Sequence, residues 1–525
     1  MSIDKSILSY LKNYSYDVKA INRLITSAFC RNNSLSNVQN KLICSLLINV
    51  GNEVEMVALD SFSKLFDKTK QIFDFECLIE LFEFVISPND KIVNGAVYTP
   101  KYIRKYIVES SIANNNQLHI ATACDVACGC GGFLYEYALV LHKKTGKSYK
   151  AIIEENLFGI DITDYSIDRT KILLTLLALI NGEDVKEIKF NLFVGDSLEF
   201  DWFKKSKVIN ERQGFNYIFS NPPYVGSSNL DERTKDLMKN WSVTSTGKMD
   251  LYIPFFEIGT KWLVEGGTMG YITVNNFYRS LNGRALRSYL SKNSFEFKLI
   301  DFGSEQVFKS RLTYTCICII SKTRGNLSYS NSTPQNIQSL VDSDFINFEF
   351  SSLNDLEGWQ LDDAKTQLNI MRLENSGEKL GELYSIRNGF ATLRNNIYLF
   401  VPTRENEGYY FFEKDGREFQ VERAICRDAI KPNVLKEEIE IQQLTEKLIF
   451  PYTIVEEANQ DLFRQNLNRN VNVIPSDEFE QQYPYACDYL REYQNELAKR
   501  DKGQREYETW FAFGRSQALN IPGLK

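Results

Sequence analysis

The stretch Asp125-Val-Ala-Cys-Gly129-Cys-Gly131-Gly132-Phe133-Leu134 is an apolar run that ends in a glycine turn and reopens as a helical pattern. Glycine has no Cβ, so such a turn lets a ligand come close to the backbone, and the N-terminus of the following helix offers N–H groups. Alone the pattern is weak, since it also occurs in dinucleotide binders and as a plain turn. Its surroundings decide the fold. From about residue 93 to 325, short apolar runs ending in Gly, Asp or Asn alternate with helical patterns. The runs are Ala123 to Ala127, Leu157 to Ile160, Phe190 to Val194, Tyr217 to Phe219, Thr268 to Val274, Phe297 to Asp301 and Thr315 to Ile320. Alternation of this kind predicts an α/β fold with a mostly parallel, doubly wound sheet. The adjacency of the last two runs predicts an antiparallel hairpin at one edge.

In such a sheet the carboxyl ends of the strands face a ligand crevice. The second run continues as Phe158-Gly-Ile-Asp161, with an acid where this class of fold binds ribose hydroxyls. Taken alone, Asp161 reads as a helix cap; its place relative to the glycine loop favours the binding role. The third run is followed by Gly195-Asp196-Ser197-Leu198, whose acid also has a capping alternative. Acids at three successive strand ends are hard to explain by capping alone. The fourth run leads into Asn221-Pro222-Pro223-Tyr224. Two prolines fix φ and remove two backbone donors, leaving a rigid segment whose carbonyls accept from something else. The Asn221 amide oxygen and the Pro222 carbonyl can accept both hydrogens of a planar amino group, and Tyr224 supplies a face for stacking.

Read together, these segments resemble the γ-type amino-methyltransferases of bacterial restriction-modification systems, the N6-adenine DNA methyltransferases that carry an Asn-Pro-Pro-Tyr motif. Further matching segments are Val97-Tyr98-Thr99-Pro100, Asp250-Leu-Tyr-Ile-Pro-Phe255-Phe256-Glu257, Glu265-Gly-Gly267, Asn275-Asn-Phe277-Tyr278 and Phe308-Lys-Ser-Arg-Leu-Thr-Tyr314-Thr-Cys316. A looser similarity to the family's recognition domains runs through Ile386-Arg-Asn-Gly389, Lys447-Leu-Ile-Phe-Pro451-Tyr452, Tyr489-Leu-Arg491 and Trp510-Phe-Ala-Phe-Gly514-Arg515-Ser-Gln517. The family continues past such a Trp…Gly-Arg segment, whereas this sequence stops at Lys525. The expectation is a recognition domain that is short, truncated or completed by another polypeptide.

The resemblance implies methyl transfer from S-adenosylmethionine to adenine N6 of a base flipped out of double-stranded DNA. It implies that Tyr98, Thr99 and the backbone around Asp125, Ala127, Cys128, Gly129 and Gly131 hold the donor's amino-acid end. Asp161 would take the ribose hydroxyls and Asp196 the donor's adenine amino group, with Ile162 and Leu198 as walls. Phe277 or Tyr278 would complete an aromatic sandwich with Tyr224 around the base; buried core is the alternative for both. Arg491, Arg500 and Arg515 are candidates for phosphate or guanine contacts, the alternative being that they are solvated or pair with neighbouring acids such as Glu492 and Asp501. Competing functions are methylation of cytosine N4, of an RNA base or of a protein glutamine, and a catalytically silent DNA-binding subunit. A specificity or restriction subunit is the further expected partner.

Beyond the sheet region the sequence is less informative. Residues 1–92 read as a helical region with apolar positions three and four apart, such as Ile21, Leu24, Ile25 and Phe29, then Leu78, Leu81, Phe82 and Val85. No chemistry is visible there. Residues 93–325 form the expected methyltransferase domain, the polar stretch 326–360 a linker, and 361–525 an α+β target-recognition domain. At 525 residues several domains are expected. The ten cysteines are scattered through apolar runs and predict reduced thiols; no spacing suggests a metal site. With two histidines, imidazole chemistry has little material. A net charge of −7 argues mildly against nucleic acid on the average surface, though not against a local basic cleft. No signal peptide or membrane-length apolar run stands out, so a cytoplasmic protein with no membrane partner is expected.

Overall fold

The computed structural model describes residues 3–84, 98–112, 117–308, 313–384, 386, 388–431, 434–457, 468–503 and 505–520. Val85, residues 93–97 including Val97, Lys309 to Leu312, Arg387 and Lys525 lie outside the described residues. The chain divides into two compact units, Met1–Ile370 and Met371–Lys525.

The first unit is built on a nine-stranded sheet. Its strands are β1 (Ala123–Asp125), β2 (Leu157–Asp161), β3 (Asn191–Val194), β4 (Phe215–Ser220), β5 (Leu263–Val274), β6 (Phe295–Asp301), β7 (Thr315–Arg324), β8 (Leu327–Asn331) and β9 (Ile346–Phe348), in the order β3-β2-β1-β4-β5-β7-β6-β8-β9. β3, β2, β1, β4 and β5 are mutually parallel. The chain winds outward from β1 to β3 and then returns to the other side at β4. The β1/β4 boundary is thus the topological switch point, where doubly wound folds place ligands. Because these strands are parallel, the ends carrying Asp125, Asp161, Asp196 and Asn221 share one edge of the sheet.

Side chains alternate across the sheet. Ala123, Tyr217 and Phe219 join one buried layer with the N-terminal helices, while Cys124 and Ile218 join the other with Trp262 and Leu286. The N-terminal helices α1 (Lys5–Tyr14), α2 (Val18–Asn32), α3 (Lys41–Leu46), α4 (Glu53–Thr69) and α5 (Phe75–Phe84) share their core with the helices Gly132–Thr145 and Asp164–Ile180. The helical region is therefore a layer of this unit. Arg169, fully buried, clamps it: Nε donates to Asn22 Oδ1 at 3.0 Å and one terminal nitrogen to the Phe82 carbonyl at 2.8 Å.

Two expectations are corrected. The segment 326–360 is no linker, because β8 and β9 extend the main sheet and Trp359 and Leu361 are buried in its core. Nor do β6 and β7 form an edge hairpin: they pair antiparallel, but β7 lies between β5 and β6, and β6 is covered by β8. The cause is local. In Leu327-Ser-Tyr329 only alternate residues enter the core, so the strand reads as polar along the chain.

The second unit is α+β, with small antiparallel sheets and a helical C-terminal part. β10 (Leu399–Phe400), β15 (Glu446–Ile449) and β14 (Cys426–Ala429) form one sheet, and β11 (Arg404–Glu405), β12 (Tyr409–Lys414) and β13 (Arg417–Glu422) another; β16 (Tyr452–Glu457) pairs with β17 (Asn468–Val473). Its core includes Tyr398, Phe412, Tyr489 and Phe513. Among the described residues no helix is long and apolar enough to cross a membrane.

Candidate functional site

The four strand ends open into one pocket. Asp125, Asp161, Asp196 and Asn221 line it together with Tyr98, Thr99, Ala127, Cys128, Gly129, Ile162, Leu198 and Pro223. Residues far apart in sequence converge because parallel strands deliver their carboxyl ends to the same edge.

The loop after β1 is held by Asp161 and by a further lining acid, Glu83. Gly129 takes φ +50° and Gly131 φ +86°, the left-handed region that glycine enters without strain. Asp161 accepts from the Gly129 N–H at 2.9 Å and from the Thr163 N–H and hydroxyl at 3.0 and 2.8 Å. Glu83, at the end of α5, accepts from the Cys130 N–H at 3.1 Å. The Cys128 N–H donates to the Ile160 carbonyl and the Gly131 N–H to the Cys128 carbonyl. Each loop amide from Cys128 to Gly131 is thus engaged inside the protein. Of the loop amides expected to hold the donor's amino-acid end, those of Gly129 and Cys130 are taken by carboxylates of β2 and α5, while Gly132 and Phe133, at the start of the next helix, line the pocket. Gly131 does not line the pocket; a Cβ there would meet Thr170 Cγ2 at 2.7 Å, so its glycine serves the turn.

Asp125 is buried beneath the loop and accepts from Ser220 Oγ at 2.8 Å and from the Ala127 N–H at 3.1 Å. Burial outweighs these bonds and pushes its carboxyl up to about 7. Burial also raises Asp161, Glu83 and Asp196 above the ordinary carboxylate range. Asp196 accepts from the Leu198 N–H at 3.0 Å and lies 3.5 Å from the exposed Arg233.

Thr99 ties two motifs together. Its hydroxyl accepts from Asn221 Nδ2 at 3.0 Å, and its carbonyl accepts from the buried Arg104, whose guanidinium is bound to both oxygens of Glu76 at 2.8 Å. Tyr98 donates to the same Glu76. Pro222 is buried and outside the pocket lining, whereas Pro223 lines it. Half-buried Tyr224 also stands outside the pocket lining; it donates its hydroxyl to the Ile272 carbonyl at 3.2 Å, and its ring centroid is 6.3 Å from that of Phe308.

Two aromatic residues expected around the base are elsewhere. Phe277 and Tyr278 are buried in the core outside the pocket lining: Phe277 packs on Phe256, and the Tyr278 hydroxyl donates to Asp301. An aromatic pair following a strand has gone to the core because the segment after β5 turns inward onto Arg287, which donates to the Phe277 carbonyl. Arg515 forms a two-pronged pair with Asp501 at 2.5 and 2.8 Å. Arg491 pairs with Glu480 at 3.0 Å, and Arg500 is buried, donating to the carbonyls of Leu497, Trp510 and Ala512. Arg515 and Arg491 thus pair with acids, Arg491 with Glu480 and not Glu492, whereas Arg500 is neither solvated nor paired with an acid but buried among carbonyls.

The sequence reading missed Glu83, Ile79, Arg104, Tyr165, Asp231 and Phe255, all in the lining. Phe255 stood in a quoted motif without a role. Glu83 gives no signal in a helical pattern, because it becomes a pocket residue only when α5 packs on the loop.

Comparison with known proteins fits this geometry. Residues 155–308 match the family of Eco57I restriction-modification methylases. The resemblance to restriction-modification methyltransferases read from the motifs is borne out. The chain is 26% identical over 504 residues to the Type II restriction enzyme and methyltransferase RM.Eco57I of Escherichia coli, covering 84% of this chain and 49% of that protein. It is 25% identical over 230 residues to the Type II methyltransferase M.BanIII of Aneurinibacillus aneurinilyticus, covering 41% and 36%. The chain thus spans about half or less of these relatives. Among solved structures, the Type IIL restriction-modification enzyme MmeI in complex with DNA matches with a TM-score of 0.54 at 13% identity, over 98% of this chain and 71% of that one. The DrdV–DNA complex matches at 0.52 and 15%, over 75% and 47%. At these identities the structural matches bear on fold, and they agree with the Rossmann-like sheet.

Proposed function

We propose that the protein is a site-specific DNA methyltransferase of a restriction-modification system that transfers the methyl group of S-adenosylmethionine to adenine N6. The observation that carries this reading is the convergence of Asp125, Asp161, Asp196 and Asn221 on one pocket, the last three of them within residues 155–308, which match the methylase family. The donor set supports the cofactor. Among the described residues, the charged side chains lining the pocket are five carboxylates, Glu83, Asp125, Asp161, Asp196 and Asp231, and one guanidinium, Arg104, already bound to Glu76. A cationic ligand suits such a lining, because it compensates carboxylates that burial disfavours.

When bound, S-adenosylmethionine supplies an electrophilic methyl group on a sulfonium. Asp161, at the end of β2, takes the ribose hydroxyls; Asp196 accepts from the adenine amino group, with Ile162 and Leu198 flanking that ring. Tyr98 and Thr99 complete the wall beside Asn221. Asn221 accepts from the N6 amino group of a flipped base, joined by the Pro222 carbonyl, while rigid Pro223 fixes the segment and Tyr224 offers its ring for stacking. Accepting both amino hydrogens draws the nitrogen lone pair out of conjugation, so catalysis is positioning plus electrostatics. The second unit, 371–525, is proposed to read double-stranded DNA, alone or with a specificity or restriction partner.

The test is to expose DNA to the protein and S-adenosylmethionine, digest it and identify the methylated nucleoside by mass. N6-methyladenosine as its deoxynucleoside is the expected product. N4-methylcytosine would replace the target base, and methyl transfer only to RNA or protein would overturn the DNA assignment.

A further inference from the structure

We infer that Glu83, contributed by the N-terminal helical layer, is a donor-binding residue whose carboxylate faces the positively charged amino-acid arm of the methyl donor. The inference rests on the proposed cofactor reading of the pocket. Three observations carry it. Glu83 lines the pocket with Ile79, one turn earlier on α5, so the end of this helix forms part of the wall. Its Oε1 accepts the Cys130 N–H at 3.1 Å, which places the carboxylate directly on the glycine loop. A Cβ on Gly129 would come within 2.9 Å of that oxygen, so glycine at 129 is what admits the carboxylate so closely.

The position is fixed from behind. The adjacent Phe82 carbonyl is held by buried Arg169, and Thr170 Oγ1 donates to the Gly129 carbonyl at 3.0 Å, so one helix secures both α5 and the loop. A carboxylate held rigidly in a largely desolvated pocket favours a cation beside it. Two loop amides bear on this: the Gly129 and Cys130 N–H groups cannot take the arm's carboxylate without losing Asp161 or Glu83, so at this wall the positive groups of the arm, ammonium and sulfonium, are the better partners.

The test is calorimetric binding to wild type and to Glu83→Gln, which keeps the size of the side chain and an oxygen for the Cys130 N–H. The ligands are S-adenosylmethionine, S-adenosylhomocysteine and 5′-methylthioadenosine, the last a nucleoside lacking the charged arm. Loss of a charge-assisted contact is expected to weaken S-adenosylmethionine about ten- to a hundredfold, with methylthioadenosine changed less than about twofold and the melting temperature retained. A greater loss for the sulfonium than for the thioether assigns the contact to sulfur; an equal loss assigns it to the ammonium. Equal weakening of all three ligands would make Glu83 a loop support only, and no weakening would remove it from the site; either outcome overturns the inference. If wild type binds none of the three, the cofactor reading itself fails.

Discussion

The pocket of the first unit and the surface of the second handle charge in opposite ways. Around the β1 loop, carboxylates gather with a single guanidinium among the described lining residues, and burial raises Asp125, Asp161, Asp196 and Glu83. In the second unit charges pair off: Arg404 with Glu418, Arg417 with Glu492, Arg491 with Glu480 and Arg515 with Asp501. The contrast separates chemistry from packing. Buried like charges are costly to keep unless a ligand compensates them, whereas exposed pairs add little to stability and signal no function.

The comparison is tested most severely at Asn221. Asn221→Ala is expected to lower single-turnover methylation by on the order of 10²- to 10³-fold, as for the loss of one preorganised polar contact to a reacting group, with donor affinity nearly unchanged. Substantial turnover by the variant would break the mechanism. At Asp161 the effect moves to binding. Removing its contact to ribose costs about 1.5 to 3 kcal/mol, or ten- to a hundredfold in donor affinity; Asp161→Ala also frees the Gly129 N–H, so a lower melting temperature accompanies the loss. Calorimetry with unchanged affinity would take Asp161 out of the site.

Stability checks the second unit. Arg500→Ala leaves two buried carbonyls, of Leu497 and Ala512, and the part-buried one of Trp510 without their donor, at roughly 1 to 3 kcal/mol for each buried acceptor left unsatisfied, and a clearly lower unfolding midpoint is expected. Asp125 gives a smaller, pH-dependent effect. Its folded value of about 7 lies above its unfolded value near 3.9, so the fold is favoured while the group is protonated in both states and loses stability as pH rises through that window. Asp125→Asn, which retains acceptors and donors for Ala127 and Ser220, is therefore expected to raise the ligand-free melting temperature at pH 8. A lower one would show that the carboxylate is compensated without ligand. The smallest effect belongs to Arg515→Ala: with its guanidinium committed to Asp501, DNA affinity and its salt slope are expected to change less than about twofold. A large drop would show that the pair opens to contact DNA.

The sequence by itself determined the doubly wound sheet and most of the pocket. Apolar runs ending in Asp125, Asp161, Gly195-Asp196 and Asn221 are short-range patterns, and parallel winding then obliges their ends to meet. The same reading placed Phe277 and Tyr278 beside a base, because an aromatic pair after a strand looks alike whether it faces a cleft or the core. It took 326–360 for a linker, because β8 buries only alternate residues. Tertiary structure alone decided Glu83, whose carboxylate acquires a role when Arg169 locks α5 against the Gly129 loop. It also decided the fate of the loop amides and of Arg491, Arg500 and Arg515. Hydrogen-bond partners are chosen by proximity in space, and for these groups the partners stand on other elements or across a turn, where no local pattern records them.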